Sequence, residues 1–207
     1  MDHKKIIIVG LTGNSGSGKG EVSRILEGRG GAVLNADCMA REVMLPGGLA
    51  FDEVVSVFGQ DIVNAGGFID RQKLGETVFR DAQKKAVLER IVHKYVIEMT
   101  ERQTEELGKR QPPPRFIVWD APLLIEAGMH EKCDAVWVVT APYEVRLARV
   151  MARDGLDERR ARLRLDSQTP EKELVSCANE VIVNDGDLRG LEARMDALIL
   201  EINFPSI

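Results

Sequence analysis

The chain has 207 residues, the size of one domain or of one domain carrying an insertion. Hydrophobic residues make up 44% and charged residues 29%, enough apolar material for a packed core and too much for a wholly disordered chain. A net charge of −5 argues against a general nucleic-acid partner, and the apolar runs are far too short to span a membrane.

The first residues, Met1-Asp2-His3-Lys4-Lys5, lead into an apolar run without a small-residue cleavage site, so they do not read as a signal peptide. Cys38, Cys133 and Cys177 are odd in number and lie outside any CxxC pair. They read as reduced thiols of a cytoplasmic protein, not as a disulfide frame or a zinc site.

Residues 6–11 are apolar and mostly β-branched, the pattern of a strand buried on both faces. Glycines and serines follow over 12–20. Val22, Ile25 and Leu26 then fall at helical spacing, and Gly28-Arg29-Gly30-Gly31 stops the helix. Residues 32–34 read as a second strand, so the chain opens as one parallel β–loop–α–β crossover.

Residues 37–108 carry no convincing strand and read as helices separated by Pro46-Gly47-Gly48 and Ala65-Gly66-Gly67. The clearest helix covers 82–107, where Leu88, Ile91, Val92, Tyr95, Val96 and Met99 form one apolar stripe. Gly108 ends it, and Pro112-Pro113-Pro114 forbids its continuation.

Strands are expected at 116–119, 135–139 and 181–183, helices at 143–153 and 157–165, and a closing amphipathic helix capped by Asp187. The sum is an α/β fold: a mostly parallel sheet with one helical insertion of about seventy residues and a short arginine-rich flap.

Gly13-Asn14-Ser15-Gly16-Ser17-Gly18-Lys19 fits G-x-x-x-x-G-K, and it leaves a buried strand to enter a helix, as the phosphate-cradling mechanism requires. The hydroxyl residue expected after the lysine, a ligand for Mg²⁺, is replaced by Gly20, with Glu21 behind it. Weaker metal binding with retained nucleotide binding is the expectation, water filling the missing place.

Asp37, Asp120 and Asn184 each follow a strand, where ligands of an open parallel sheet sit. Asp37 has two readings: a general base taking a proton from an attacking hydroxyl, or the N-cap of the next helix. Asp120 reads as an acid holding a metal-bound water, or as a turn residue before Pro122.

Arg146, Arg149 and Arg153 share one helix face, and Arg159, Arg160, Arg162 and Arg164 follow. They read as a cationic lid supplying arginine fingers, with several of the seven expected merely to pair with Asp154, Asp157 and Glu158.

At this point the chain resembles the dephospho-CoA kinases over nearly its whole length. The resemblance rests on Gly10-Leu11-Thr12-Gly13 with Gly16-Ser17-Gly18-Lys19, on Ala36-Asp37 with Ala40-Arg41, and on Pro46-Gly47, Phe58-Gly59 and Asp70-Arg71 with Leu74. It continues through Leu88-Glu89 with His93, Pro122-Leu123-Leu124 with Glu126, Arg153-Asp154, Gln168, and Val181-Ile182 with Asn184.

The resemblance implies a three-layer P-loop fold similar to the nucleoside monophosphate kinases, with a five-stranded parallel sheet. Residues 1–36 and 115–207 would form the nucleotide core, with a lid at about 153–168, and 37–114 the acceptor insertion. It implies transfer of the ATP γ-phosphate, with Mg²⁺, to the ribose 3′-hydroxyl of dephospho-CoA. The partner is then a small molecule, not a nucleic acid, a membrane or an obligate protein.

Carried over, Asp37 is the base, and Lys19 with the loop residues Gly13, Asn14, Ser15, Gly16, Ser17, Gly18, Gly20 and Glu21 holds the nucleotide. Arg149 would be the transition-state arginine, with Arg153 nearby in the lid; Arg41, His93 and the insertion helices would line the acceptor site, and Asn184 and its loop would lie near the adenine.

The chain departs from the family at Gly20-Glu21, at Asn14-Ser15, at Asn35, which replaces an acid, and at Lys94, which replaces a proline. Three rivals stand beside this reading. One is another small-molecule P-loop kinase. Another is a non-catalytic nucleotide binder, suggested by Gly20. The third is a guanine-nucleotide switch, suggested by Asn184-Asp185-Gly186-Asp187.

Overall fold

The computed structural model describes residues 6–202. The strands are β1 (Ile8–Thr12), β2 (Gly31–Asn35), β3 (Phe116–Asp120), β4 (Ala135–Thr140) and β5 (Glu180–Val183). They form one sheet in the order β2-β3-β1-β4-β5. β1 pairs parallel with β3 and β4, and β4 pairs parallel with β5. The chain thus builds one half of the sheet, returns, and crosses to the other side of β1, so a crevice opens at the carboxyl end of β1.

Alternation along β1 explains both covered faces. Val9 and Leu11 join Val22, Ile25 and Leu26 of helix α1 (Lys19–Gly28) and Leu191, Met195, Leu198 and Ile199 of helix α9 (Leu188–Glu201) in one core cluster. Phe116, Val118, Trp137, Val139 and Ile182 complete it from the other strands. Each such side chain contributes about 1.5–3 kcal/mol when fully buried.

Gly10 faces the other way, where an added Cβ would meet Cys133 Sγ and Leu124 Cδ2, each at 2.8 Å. All three cysteines are free thiols. Burial, helped by the charge of Asp134, pushes the Cys133 thiol up to about 12, so it packs as an inert group.

The chain divides into two compact units, Met1–Leu34 with Glu106–Ile207, and Asn35–Glu105. The second unit contains α2 (Ala36–Glu42), α3 (Phe51–Phe58), α4 (Arg71–Phe79) and most of α5 (Ala82–Gly108). Its only extended pairing among the described residues is the isolated antiparallel bridge of Val63 with Ile69. Val43, Val54, Ile62, Leu74, Ile91, Val96 and Met99 are its buried core.

On the same unit, Met44, Leu45, Phe68, Val78, Leu88 and Val92 line an apolar cleft of about 400 Å³ with Arg71 beside them. Lys94 donates to Glu53 at 2.9 Å, and the Tyr95 hydroxyl donates to the same carboxylate at 2.7 Å. The residue standing in place of a proline therefore ties α5 to α3.

In the first unit, α6 (Tyr143–Asp154) ends at Gly155 and α7 (Glu158–Asp166) folds back on it. Leu147, Val150, Ala161 and Leu165 form their shared apolar seam. Asp157, expected inside the second helix, is its N-cap and accepts from the Arg160 amide. A further short helix, α8 (Glu171–Ser176), had no counterpart in the sequence reading. No helix among the described residues is long and apolar enough to cross a membrane.

Gly10→Ala forces a methyl into the packed face of a strand paired on both edges. The expected cost is about 1–3 kcal/mol, read as a lower urea midpoint at unchanged slope. An unshifted midpoint would mean that Leu124 and Cys133 yield freely.

Candidate active site

The loop 13–19 connects β1 to α1, and the close approach of its neighbours explains its glycines. Gly16 has φ 80°, and a Cβ there would meet the Arg146 carbonyl oxygen at 2.5 Å. Gly18 has φ 91°, and a Cβ there would overlap Asn184 Nδ2.

The carbonyls of residues 14 to 18 are each turned onto donors of the protein itself. Asn14 O accepts from the Ser17 amide, and Gly18 O accepts from the Glu21 and Val22 amides. Ser15 O accepts from Arg146 Nε at 3.1 Å. Arg149 Nη1 donates to Gly16 O at 3.2 Å, to Ser17 O at 3.4 Å and to Asn184 O at 3.1 Å. Asn184 Nδ2 donates to Ser17 O at 2.8 Å.

The amides of Gly16, Gly18, Lys19 and Gly20 find no acceptor among the described residues. With carbonyls satisfied and amides free at a helix N-terminus, the loop has the polarity of an anion site.

Lys19 Nζ forms an ion pair with Asp120 Oδ1, and Ser23 Oγ donates to Asp120 Oδ2 at 2.8 Å. Asp120 is only 3% exposed. Gly20 is exposed, with open space where a Cβ would stand. Glu21 pairs with Arg24 in the first turn of α1. Ser17 Oγ is buried without a hydrogen-bond partner among the described residues.

The arginines separate by environment. Arg146 is 6% exposed, and Arg149 is half-buried on the loop. Arg153 lies bidentate on Asp154, at 2.8 and 2.9 Å, and Arg164 pairs with the same carboxylate at 2.9 Å. Those two guanidinium groups hold Asp154 below its usual range, with Arg153 the larger cause. Arg160 pairs with Asp157, and Arg162 with Glu158 and Glu144. Arg159 is exposed without a partner among the described residues.

The second unit carries the remaining candidates. The capping reading of Asp37 is corrected: the N-cap of α2 is Asn35, whose side chain accepts from the Cys38 amide at 2.9 Å. Asp37 sits in the first turn of that helix, exposed, with no partner among the described residues of its unit. Arg41 is exposed in the last turn of α2, and His93 is half-buried on α5.

Arg146, Ser23 and Gln168 carry contacts to the site that the sequence alone did not bring out. For Arg146, its place on the Arg149 face was the available signal.

Comparison with known proteins agrees with this frame. The family model described as "Dephospho-CoA kinase" matches residues 7–190. A dephospho-CoA kinase of Moorella thermoacetica is 40% identical over 95% of this chain and 92% of its own. The crystal structure of a Thermus thermophilus protein is similar at 34% identity and a TM-score of 0.79, covering 97% of this chain and all of its own. The Campylobacter jejuni dephospho-CoA kinase structure gives 28% and 0.69, covering 94% and 96%. A shikimate kinase from Acinetobacter baumannii, at 17% identity and a TM-score of 0.53 over 97% and 96%, shares the P-loop kinase fold alone. The chain belongs to the dephospho-CoA kinase family.

Proposed function

We propose that the chain transfers the γ-phosphate of ATP to the ribose 3′-hydroxyl of dephospho-CoA, the last step of coenzyme A synthesis. Family membership together with the loop's engaged carbonyls and free amides carries this reading. The free loop amides and Lys19 take the phosphates, and Lys19 exchanges Asp120 for them as the nucleotide enters. Arg149 adds positive charge beside the loop, where charge develops during transfer. Arg153 joins it once released from Asp154.

Asp37 is the base that accepts the hydroxyl proton, and its unpaired carboxylate supports that role. Arg41, His93 and the apolar cleft of the second unit bind the acceptor, whose pantetheine arm suits an apolar wall with a single arginine. Asn184 backs the loop on the side assigned to the adenine.

The donors present fit Mg²⁺ held chiefly by phosphate and water. Asp120 is one hard carboxylate, position 20 offers no side-chain oxygen, and no cluster of three metal-ligating side chains exists among the described residues. Asp120, through water, is the residue that holds it. When bound, the ion neutralises charge on the phosphate oxygens. The protein acts in the cytoplasm on small molecules, with no nucleic acid, membrane or obligate protein partner.

A coupled ADP-release assay with dephospho-CoA as sole acceptor tests the reaction. Turnover of a nucleoside monophosphate or a sugar instead would move the chain to another small-molecule kinase. Asp37→Asn is expected to lower turnover by about 100-fold or more, with nucleotide affinity retained; unchanged turnover would remove Asp37 from the chemistry. Gly20→Ser fits the open space at the helix start. It is expected to lower the Mg²⁺ concentration for half-maximal rate by roughly two- to five-fold. An unchanged Mg²⁺ requirement would show that the added hydroxyl does not reach the ion.

A further inference from the structure

Gln168 and Glu126 belong to the motifs that carry the family resemblance, yet neither has a place in the reaction described above. The structure brings both to the tip of the phosphate loop. Gln168 Oε1 accepts the Ser15 amide at 3.0 Å, and Arg146 Nη2 approaches the same oxygen at 3.5 Å. Arg146 Nε in turn donates to Ser15 O at 3.1 Å. Both backbone polar groups of Ser15 are therefore held by two side chains that touch each other.

The neighbouring residue is tied as well. Asn14 Nδ2 donates to Thr169 O at 3.0 Å, and Thr169 Oγ1 donates to Glu126 Oε1. Arg146 is buried, so its guanidinium needs these acceptors. Beyond Ser15 O and Gln168 it has Glu171 at 3.5 Å. Gln168 lies just past the end of α7, between the arginine-rich helix and α8.

We infer that Gln168 is a positioning residue for nucleotide binding. Its carboxamide oxygen, with Arg146, fixes the Ser15 peptide, and the Asn14–Thr169–Glu126 chain fastens the turn 167–170 to the loop. The fixed peptide precedes Gly16, whose carbonyl is held by Arg149 and whose amide is free. Losing the clamp loosens the amide ring that must already be formed when phosphate arrives.

Asn14 makes the linkage stronger in this chain than a glycine at that place allows, since a glycine has no side chain to reach Thr169. The inference rests on the reading of the loop as the nucleotide site.

The test compares Gln168→Met, which keeps length but has no comparable acceptor, with Gln168→Glu, which keeps the oxygen. ADP and ATP affinities are measured by calorimetry, together with KM for ATP, KM for dephospho-CoA and the melting temperature. Gln168→Met is expected to weaken both nucleotides about tenfold and to raise KM for ATP equally. The acceptor KM and the melting temperature stay close to those of the unsubstituted chain. Gln168→Glu restores affinity to within about threefold, and Asn14→Gly costs roughly two- to threefold.

Unchanged affinity in Gln168→Met would overturn the inference. So would equal damage from Gln168→Glu, or a loss that appears as lower thermal stability alone. Failure of the unsubstituted chain to bind any nucleotide would instead overturn the reading of the loop, and this inference with it.

Discussion

The arrangement depends on where the carbonyl oxygens of one short loop are pointed. A peptide chain has a donor for nearly every acceptor, so a loop attracts an anion only when its acceptors are occupied elsewhere. Here the carbonyls of residues 14 to 18 are all engaged from behind by Arg146, Arg149, Asn184 and local amides. Two of those donors are guanidinium groups on α6, one helical turn apart. An acidic protein thus concentrates cationic donors behind the loop proposed to hold a polyanion. The same bonds hold the loop in shape, so binding does not also have to order it.

Asp120 makes the front of the site intelligible. Buried at the end of β3, it is balanced by Lys19 on one oxygen and Ser23 on the other. A carboxylate left alone there would carry a large desolvation penalty. In the proposed reaction Lys19 turns from Asp120 to phosphate, while the Ser23 hydroxyl stays on the carboxylate. The glycine after Lys19 sets no obstacle to this, because nothing fills the space beside it.

The middle of the sheet was legible in the sequence because β1, β3 and β4 are buried apolar runs rich in β-branched residues, while the half-buried edge strands β2 and β5 were read from shorter apolar runs. The long α5 and the closing α9 announced themselves through their apolar stripes. Helix α8 did not, since six residues cannot establish a period of 3.6. Among site residues, the loop and Lys19 were readable from spacing and context. Arg146 was not: spacing puts it on the Arg149 face, but burial is decided by the loop that crosses that face. Of the two readings that spacing left open for Asp37, the structure removes the capping one. Asn35 holds the Cys38 amide, which leaves Asp37 in the first turn. Gln168 stood out as part of a motif, but nothing in the sequence indicated that its partner is a backbone amide 153 residues away.

The second unit leaves the chain after β2 and rejoins it before β3, and these two strands are neighbours in the sheet. A detour of that kind adds no crossing and breaks no strand pair. Its internal core can therefore drift in sequence, lengthen or change its lining while the phosphate-handling half keeps its register. With the acceptor role proposed for this unit, such a seam lets kinases of one catalytic frame diverge toward different acceptors by exchanging a cassette instead of rebuilding the engine.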